Sequence, residues 1–453
     1  MKRRQALALV PAAGLFFTTA RRSAAAPSAE VARDVLPNGL VVLVEERRTA
    51  DTVALQLAAR AGTRDDDGLP GIEAITTRML AQGTPRRPSE SDVQRTVAQV
   101  GGTFTYGTGA ELTSFASNLP SDAASLGLNL LADLVTNPLL SESALAGQKQ
   151  ITLQNLAQRR ADPSTVLADL FRAEMFAGHP ISTPPLGTPQ SVQAITGEAV
   201  RAAWLRSWGA TNLALAVVGR IKTANALAMA RDYFSALPAG VPMQRPPAQP
   251  RPITSPRVVF AEAGQQQAQF RLGMAAPPVA TPDYYPLVVL NAILSGELFA
   301  ELRTVRGLAY VAGSAYQAYT DAGAWYAAAG VDPENLPSAL AVTQAVIEDT
   351  REAPPGAQTL AGASRYFTGR QALAEESNAA RASLRVSQEL LGTNSLEEFV
   401  RRIREVTPDD MFRVAQTYLD LDHSLLAVVG PQSAAPQVPL TPPAAPAVVG
   451  PGK

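Results

Sequence analysis

A five-residue run occurs twice in this chain. Leu215-Ala216-Val217-Val218-Gly219 returns as Leu426-Ala427-Val428-Val429-Gly430, at an offset of 211. The same ungapped offset lays Ile195-Thr196 onto Val406-Thr407. In both places a helical segment precedes the apolar run and the run stops at Gly, as a buried strand does. The second helix has a marked start: Thr407 as N-cap, Pro408 at the first helical position, Asp410 three residues after the cap. The 453 residues therefore hold two copies of one unit of roughly 200 residues.

Each copy opens with strands. In the first, LPNGLVVLVEE (36–46) places Asn38-Gly39 as a tight turn, and TVALQLAARAG follows as a strand. In the second, PRVVFAEAGQQQAQFRLGMAA (256–276) alternates around Ala263-Gly264. A helix is expected at 70–82 and at about 284–304, then hairpins over Thr103–Leu119 and Leu308–Val331. That order predicts an α+β chain of two homologous domains, each a mostly antiparallel sheet with helices packed on one face. The expected domains are 30–237 and 257–432. The prolines of 238–256 predict an extended strap between them.

The ends read differently. Lys2, Arg3 and Arg4 precede an apolar stretch from Ala6 to Phe17, too short to span a bilayer. Ser23-Ala24-Ala25 fits a small-x-small cleavage site, so 1–25 is expected to be an export signal. Arg21 and Arg22 beside that site leave an uncleaved anchor as the alternative. Export from a bacterial cytoplasm puts the mature chain in the periplasm, with the inner membrane as a second location through a partner. The segment 433–453 is rich in Pro and Ala and is expected to be a disordered tail. A net charge of −1 gives no reason to expect nucleic acid as a partner. With no cysteine, disulfides and thiolate chemistry are excluded.

Few residue groups suggest chemistry by themselves. His179 and His423 are solitary and fit structural positions. Asp65-Asp66-Asp67 lacks calcium-ligand spacing and reads as a solvated turn. No G-x-S-x-G elbow is present, and Gly101-Gly102-Thr103 lacks the Lys of a phosphate loop. Tyr106 and Phe115, on the first hairpin, read as sheet packing.

Two longer segments say more. GLPGIEAITTRMLAQGT (68–84) resembles the zinc helix of the insulinase/pitrilysin metallopeptidases, where Gly-Leu, H-x-x-E-H and Gly-Thr follow in order. Counted back from Gly83-Thr84, the two His positions fall on Ala74 and Arg78 and the Glu on Thr77. AGQKQITLQNL (146–156) resembles the later helix that carries the third ligand. Its paired Glu positions become Gln154 and Asn155, with Asn155 at the ligand position, and a helper Glu becomes Gln148. ELRTVRGLAY (301–310) resembles the family's second-domain motif, an Arg and a Tyr seven positions apart: Arg303 and Tyr310. The family's Gly-rich, Ser-containing loop before that motif is reduced to Leu294-Ser295-Gly296-Glu297. The resemblance spans about 35–435 and points to the shorter, processing-peptidase-like branch.

The resemblance implies a non-catalytic subunit in a clam-shell-like half-chamber, without zinc of its own. Its partner would be a similar chain with H-x-x-E-H and zinc, in a heterodimer or heterotetramer that hydrolyses peptides. There the partner's Glu would activate water while Arg303 and Tyr310 hold the substrate carbonyl and its growing charge. A scaffold subunit with no part in the chemistry is the second reading. An independent hydrolase is the third, and no residue constellation supports it.

Overall fold

The computed structural model describes residues 31–435 apart from 265, 280 and 354, so the expected export signal and residues 436–453 lie outside the described residues. The first half contains β1 (Val31–Val35), β2 (Val41–Glu46), β3 (Thr52–Ala59), α1 (Ile72–Ala81), α2 (Glu90–Ala98), β4 (Thr103–Thr108) and β5 (Thr113–Pro120). It continues with α3 (Ala124–Thr136), α4 (Glu142–Ala161), α5 (Pro163–Met175), α6 (Pro189–Ala194), α7 (Gly197–Ser207), β6 (Leu213–Gly219) and α8 (Thr223–Phe234). The second half runs β7 (Arg257–Glu262), β8 (Ala268–Ala276), α9 (Tyr284–Phe299), β9 (Ala309–Ala318), β10 (Gly323–Val331) and α10 (Leu336–Glu352). It closes with α11 (Ala357–Ala374), α12 (Asn378–Leu391), α13 (Leu396–Glu405), α14 (Pro408–Tyr418) and β11 (Leu425–Gly430).

The two sheets have the orders β1-β2-β6-β3-β5-β4 and β7-β11-β8-β10-β9. Without β1 they superpose strand for strand, which is the repeat seen as topology. In each, the closing strand lies parallel to the opening one (β6 on β2, β11 on β7) and every other pair is antiparallel. The Asn38-Gly39 turn forms as expected, with Gly39 at φ +94° and Asn38 Oδ1 accepting from the Leu40 amide. The strands on either side of Ala263-Gly264 do not pair with each other, because β11 lies between β7 and β8.

One face of each sheet carries its own helices. Val42, Val53, Leu57, Phe115 and Val217 pack with Leu128, Leu131 and Phe234 in the first half. Phe270, Leu272 and Val428 pack with Leu290, Leu294 and Met411 in the second. The opposite faces are covered across the repeat. Helix α5 of the first half lays Leu167, Phe171 and Met175 against Val259, Leu425, Ala427 and Val429 of the second sheet. Helix α12 of the second half lays Ala382 and Val386 against Leu43, Ala54, Ala216 and Val218 of the first. The halves thus exchange one helix each.

Ion pairs fasten the exchange. Glu45, fully buried on β2, meets Arg381 Nε at 2.5 Å and Arg385 Nε at 3.0 Å on α12. Arg64 bridges Glu111 at 2.7 Å and Asp321 of the second half at 2.7 Å, and buried His179 stands 3.2 Å from the same Asp321. The strap 238–256 contains no helix or strand. It is stapled to the first half by Arg245, which pairs with Asp65 at 2.6 Å and donates to the Glu111 carbonyl at 2.7 Å. At the other end Gln432–Ala434 form a 3-10 turn with Ala434 buried, so the start of the expected tail is seated on the second core.

Candidate functional site

Helix α1 begins at Gly71, whose φ of +91° and position against the Leu186 carbonyl leave no room for a side chain. Asp66 takes the place of a cap, accepting from the amides of Gly71 at 2.8 Å and Glu73 at 3.0 Å. The acidic turn 65–67 is therefore engaged in structure: Asp65 with Arg245, Asp66 with α1, Asp67 with Arg206 at 3.3 Å. Ala74, Thr77 and Arg78 all lie on α1, packed between α4, α7 and the edge strand β4.

None of the three offers a metal a donor set. Ala74 is a buried methyl. The Thr77 hydroxyl bonds back to the Glu73 carbonyl at 2.8 Å and accepts from Thr108 Oγ1 of β4 at 3.0 Å. Arg78 carries a permanent charge and donates Nη1 to Thr152 Oγ1 of α4 at 2.7 Å. Asn155 is half-buried on the same face of α4 as Gln148 and Thr152. The side chain opposite Arg78 is thus Thr152, one that spacing in the sequence did not single out. A methyl, two hydroxyls, an amide and a guanidinium do not fit zinc.

Glu73, one turn before Arg78's neighbour Thr77, was also not singled out. It is fully buried, and Oε1 accepts from Arg206 and Ser207, each at 2.7 Å, while Oε2 has no partner. Burial, only partly offset by Ser207 and Arg206, pushes its carboxyl up to about 7. A carboxyl raised from its ordinary value of 4.5 favours the fold most below pH 4.5, and that contribution is withdrawn as pH rises to about 7. The loss amounts to at most about 3 kcal/mol. Glu73→Gln removes this titration. Urea midpoints at pH 5 and pH 8 should fall further for the parent chain than for the variant; an equal fall in both would contradict the assignment.

In the second half, α9 runs without interruption through Leu294-Ser295-Gly296-Glu297, so the shortened segment is helix and not loop. A π-helical turn, Ala300–Val305, extends it and presents Arg303 outward. Tyr310 follows at the start of edge strand β9 and is 74% exposed. The two meet: the Arg303 guanidinium carbon lies 4.6 Å from the centre of the Tyr310 ring and 5.0 Å from that of Phe299. Arg306, three residues on, instead pairs with Glu301 at 3.2 Å. The remaining candidates are structural. Phe115 stacks on Trp208 at 4.9 Å, Tyr106 donates to Glu90 at 3.0 Å, and exposed His423 pairs with Asp420 at 2.7 Å.

Residues 41–189 match the model described as Insulinase (Peptidase family M16), and 194–365 match that of the Peptidase M16 inactive domain. The chain belongs to the insulinase family of peptidases. Within that family it is a non-catalytic member. An uncharacterized zinc protease of Mycobacterium tuberculosis is 29% identical over 434 residues, covering 92% of this chain and 98% of the relative. The fold is shared with a peptidase M16 inactive domain from Pseudomonas fluorescens, at a TM-score of 0.84 and 23% identity over 91% of this chain and all of that one. It is shared equally with a protease from Helicobacter pylori, at a TM-score of 0.84 and 18% identity over 89% of this chain and all of that one.

Proposed function

We propose that this chain is the substrate-holding subunit of a heteromeric zinc peptidase, lending Arg303 and Tyr310 to an active site whose zinc is held by a homologous partner with H-x-x-E-H. The observation that carries this is the exposed Arg303–Tyr310 stack. A guanidinium and a phenol held together at the surface, with no carboxylate paired to the Arg among the described residues, supply two aligned donors for a peptide carbonyl. The ring beneath the guanidinium restricts its motion, so less freedom is lost when a substrate is held. Hydrolysis requires the partner's metal site; this chain's own residues orient the substrate and steady the charge on its carbonyl oxygen. We place the mature protein in the periplasm, a reading supported by the export-signal pattern expected of residues 1–25.

The test is reconstitution. The purified chain alone should hold no stoichiometric zinc and cleave no peptide. Mixed with an exported H-x-x-E-H homologue from the same organism, it should co-elute on size-exclusion chromatography and raise peptidase activity well above that of the homologue alone. One tightly held zinc per chain by metal analysis, or absence of both co-elution and stimulation, would refute the reading. Co-elution without stimulation would make the chain a scaffold.

A further inference from the structure

Helix α5 of the first half crosses the far face of the second sheet without covering all of it. Between the start of α5 and the edge strand β9 a cavity of about 410 Å³ remains. Strand β10 gives it a floor of small residues: Ala328 stands opposite Arg271 of β8, and Gly330 opposite Gln269. A side chain added at Gly330 would meet nothing closer than Gln269 at 3.8 Å, so this space is open.

Arg271 lines the cavity as a cation without a counter-ion. It makes no hydrogen bond or ion pair among the described residues. Its guanidinium carbon lies 4.4 Å from the centre of the Tyr326 ring and 5.8 Å from that of Phe171. The two rings fix where the group stands and leave its N–H edges free. None of its nitrogens is sealed from solvent. Burial disfavours the charge, and a carboxylate paired in bidentate fashion would offset that cost. The acids nearby are engaged elsewhere. Asp169 of α5 accepts from Arg159 and Arg172, and Asp162 caps α5 by accepting from Ser164 and Thr165. Among the described residues no carboxylate lines the cavity, whereas Ser164, Gln267 and Gln269 bring a hydroxyl and two amides to its wall. Tyr310 lines it too, and the ring of that Tyr also faces the Arg303 guanidinium. A peptide whose carbonyl is held by that pair therefore passes a neighbouring side chain over the cavity.

From this arrangement we infer that the cavity is a subsite for an acidic side chain of the peptide substrate, Asp or Glu, and that Arg271 is the residue that selects it. This rests on the substrate-holding reading above and gives that substrate a chemical class.

The experiment takes a neutral, amidated, fluorescent Ala/Thr octapeptide and places Glu or Gln at each position in turn. Fluorescence anisotropy with the purified chain should show, at one position or more, Glu binding about tenfold or more tighter than Gln. Arg271→Met should abolish the preference and Arg271→Lys should keep part of it. Gly330→Val fills the cavity and leaves the charge in place. It should also abolish the preference, which a diffuse attraction to Arg271 would not lose. Thermal unfolding checks that each variant is folded; should Arg271→Met not fold, Gly330→Val carries the same test. In the reconstituted complex the same Glu-to-Gln preference should appear in kcat/KM. A mixture with no peptidase activity would sink the partner reading alone, because binding is read on the isolated chain. Equal binding of Glu and Gln at every position, no binding up to millimolar peptide, or a preference that survives both Arg271→Met and Gly330→Val would overturn the acidic subsite.

Discussion

Arg303→Ala and Tyr310→Phe, each introduced into the reconstituted complex, should lower its peptidase rate by about 10²–10³ while leaving assembly unchanged. The expectation follows from where the two groups stand. Both are exposed, so neither substitution opens a cavity, and Leu302 beneath them stays buried in the second core. Tyr310→Phe deletes a single hydroxyl and keeps a ring under the guanidinium. Any large effect on rate therefore reports on substrate and not on folding. Arg303→Ala also frees the faces of Phe299 and Tyr310, so a small change in local order accompanies the lost charge. The double variant should cost less than the product of the single effects, because both donors address one carbonyl. Arg306→Ala is the control, since its partner is Glu301 at the surface. Unchanged rate and peptide affinity in both single variants of an intact complex would leave the stack a surface feature and this chain a scaffold.

The largest loss of stability is expected at Glu45. This carboxylate is fully buried between two arginines contributed by the other half of the chain. Glu45→Ala leaves Arg385 without a carboxylate and Arg381 with only Glu375, at 3.4 Å, against an apolar sheet face formed by Leu43, Ala54, Ala216 and Val218. Breaking a buried pair from one side costs about 3–5 kcal/mol, more than the pair itself contributes, because the remaining charge is left unmatched. Glu45→Met combined with Arg381→Met and Arg385→Met should recover most of that loss, since similar volume returns without charge. Urea unfolding followed by far-ultraviolet circular dichroism and by tryptophan fluorescence measures both. Trp208 reports the first core and Trp325 the second. Coincident transitions are expected in the parent chain, because each sheet is completed by a helix of the other half. A Glu45→Ala variant with unaltered midpoint would show that the exchange of helices is held by apolar packing alone.

The repeat was legible because two strands and the helix caps before them share one register. Thr196 and Thr407 cap α7 and α14 in the structure. The exchange of helices was not, although the sequence carried its trace. Strand β6, LALAVVG, is buried at every residue and shows no alternation, which marks a strand covered on both faces. Nothing in that pattern says which half supplies the second cover. The insertion of β11 between β7 and β8 escaped for a similar reason: local alternation around Ala263-Gly264 is the same whether the strands pair or only run side by side with a third between. At the candidate sites, Arg303 and Tyr310 were found because ELRTVRGLAY resembles the family's second-domain motif, not because spacing alone marks them. Thr152 was missed because spacing counts along one helix, whereas the contact with Arg78 is set by how α4 lies across α1.

The exchange also orders events during synthesis. Helix α5 leaves the ribosome early, with the apolar face of Leu167, Phe171 and Met175 made to fit Leu425, Ala427 and Val429. Those strand residues are among the last to be made, more than half the chain later. The first sheet likewise waits for α12 to cover Leu43, Ala54 and Val218. Neither half can finish ahead of the other, so the native state is reached only after translation, through contacts distant in sequence that close slowly. Until then a nascent chain exposes two sheet faces and two unmatched helices, the kind of surface that holding chaperones recognise. On the export route proposed above, that delay would hold the chain open until strand β11 is free to join its sheet.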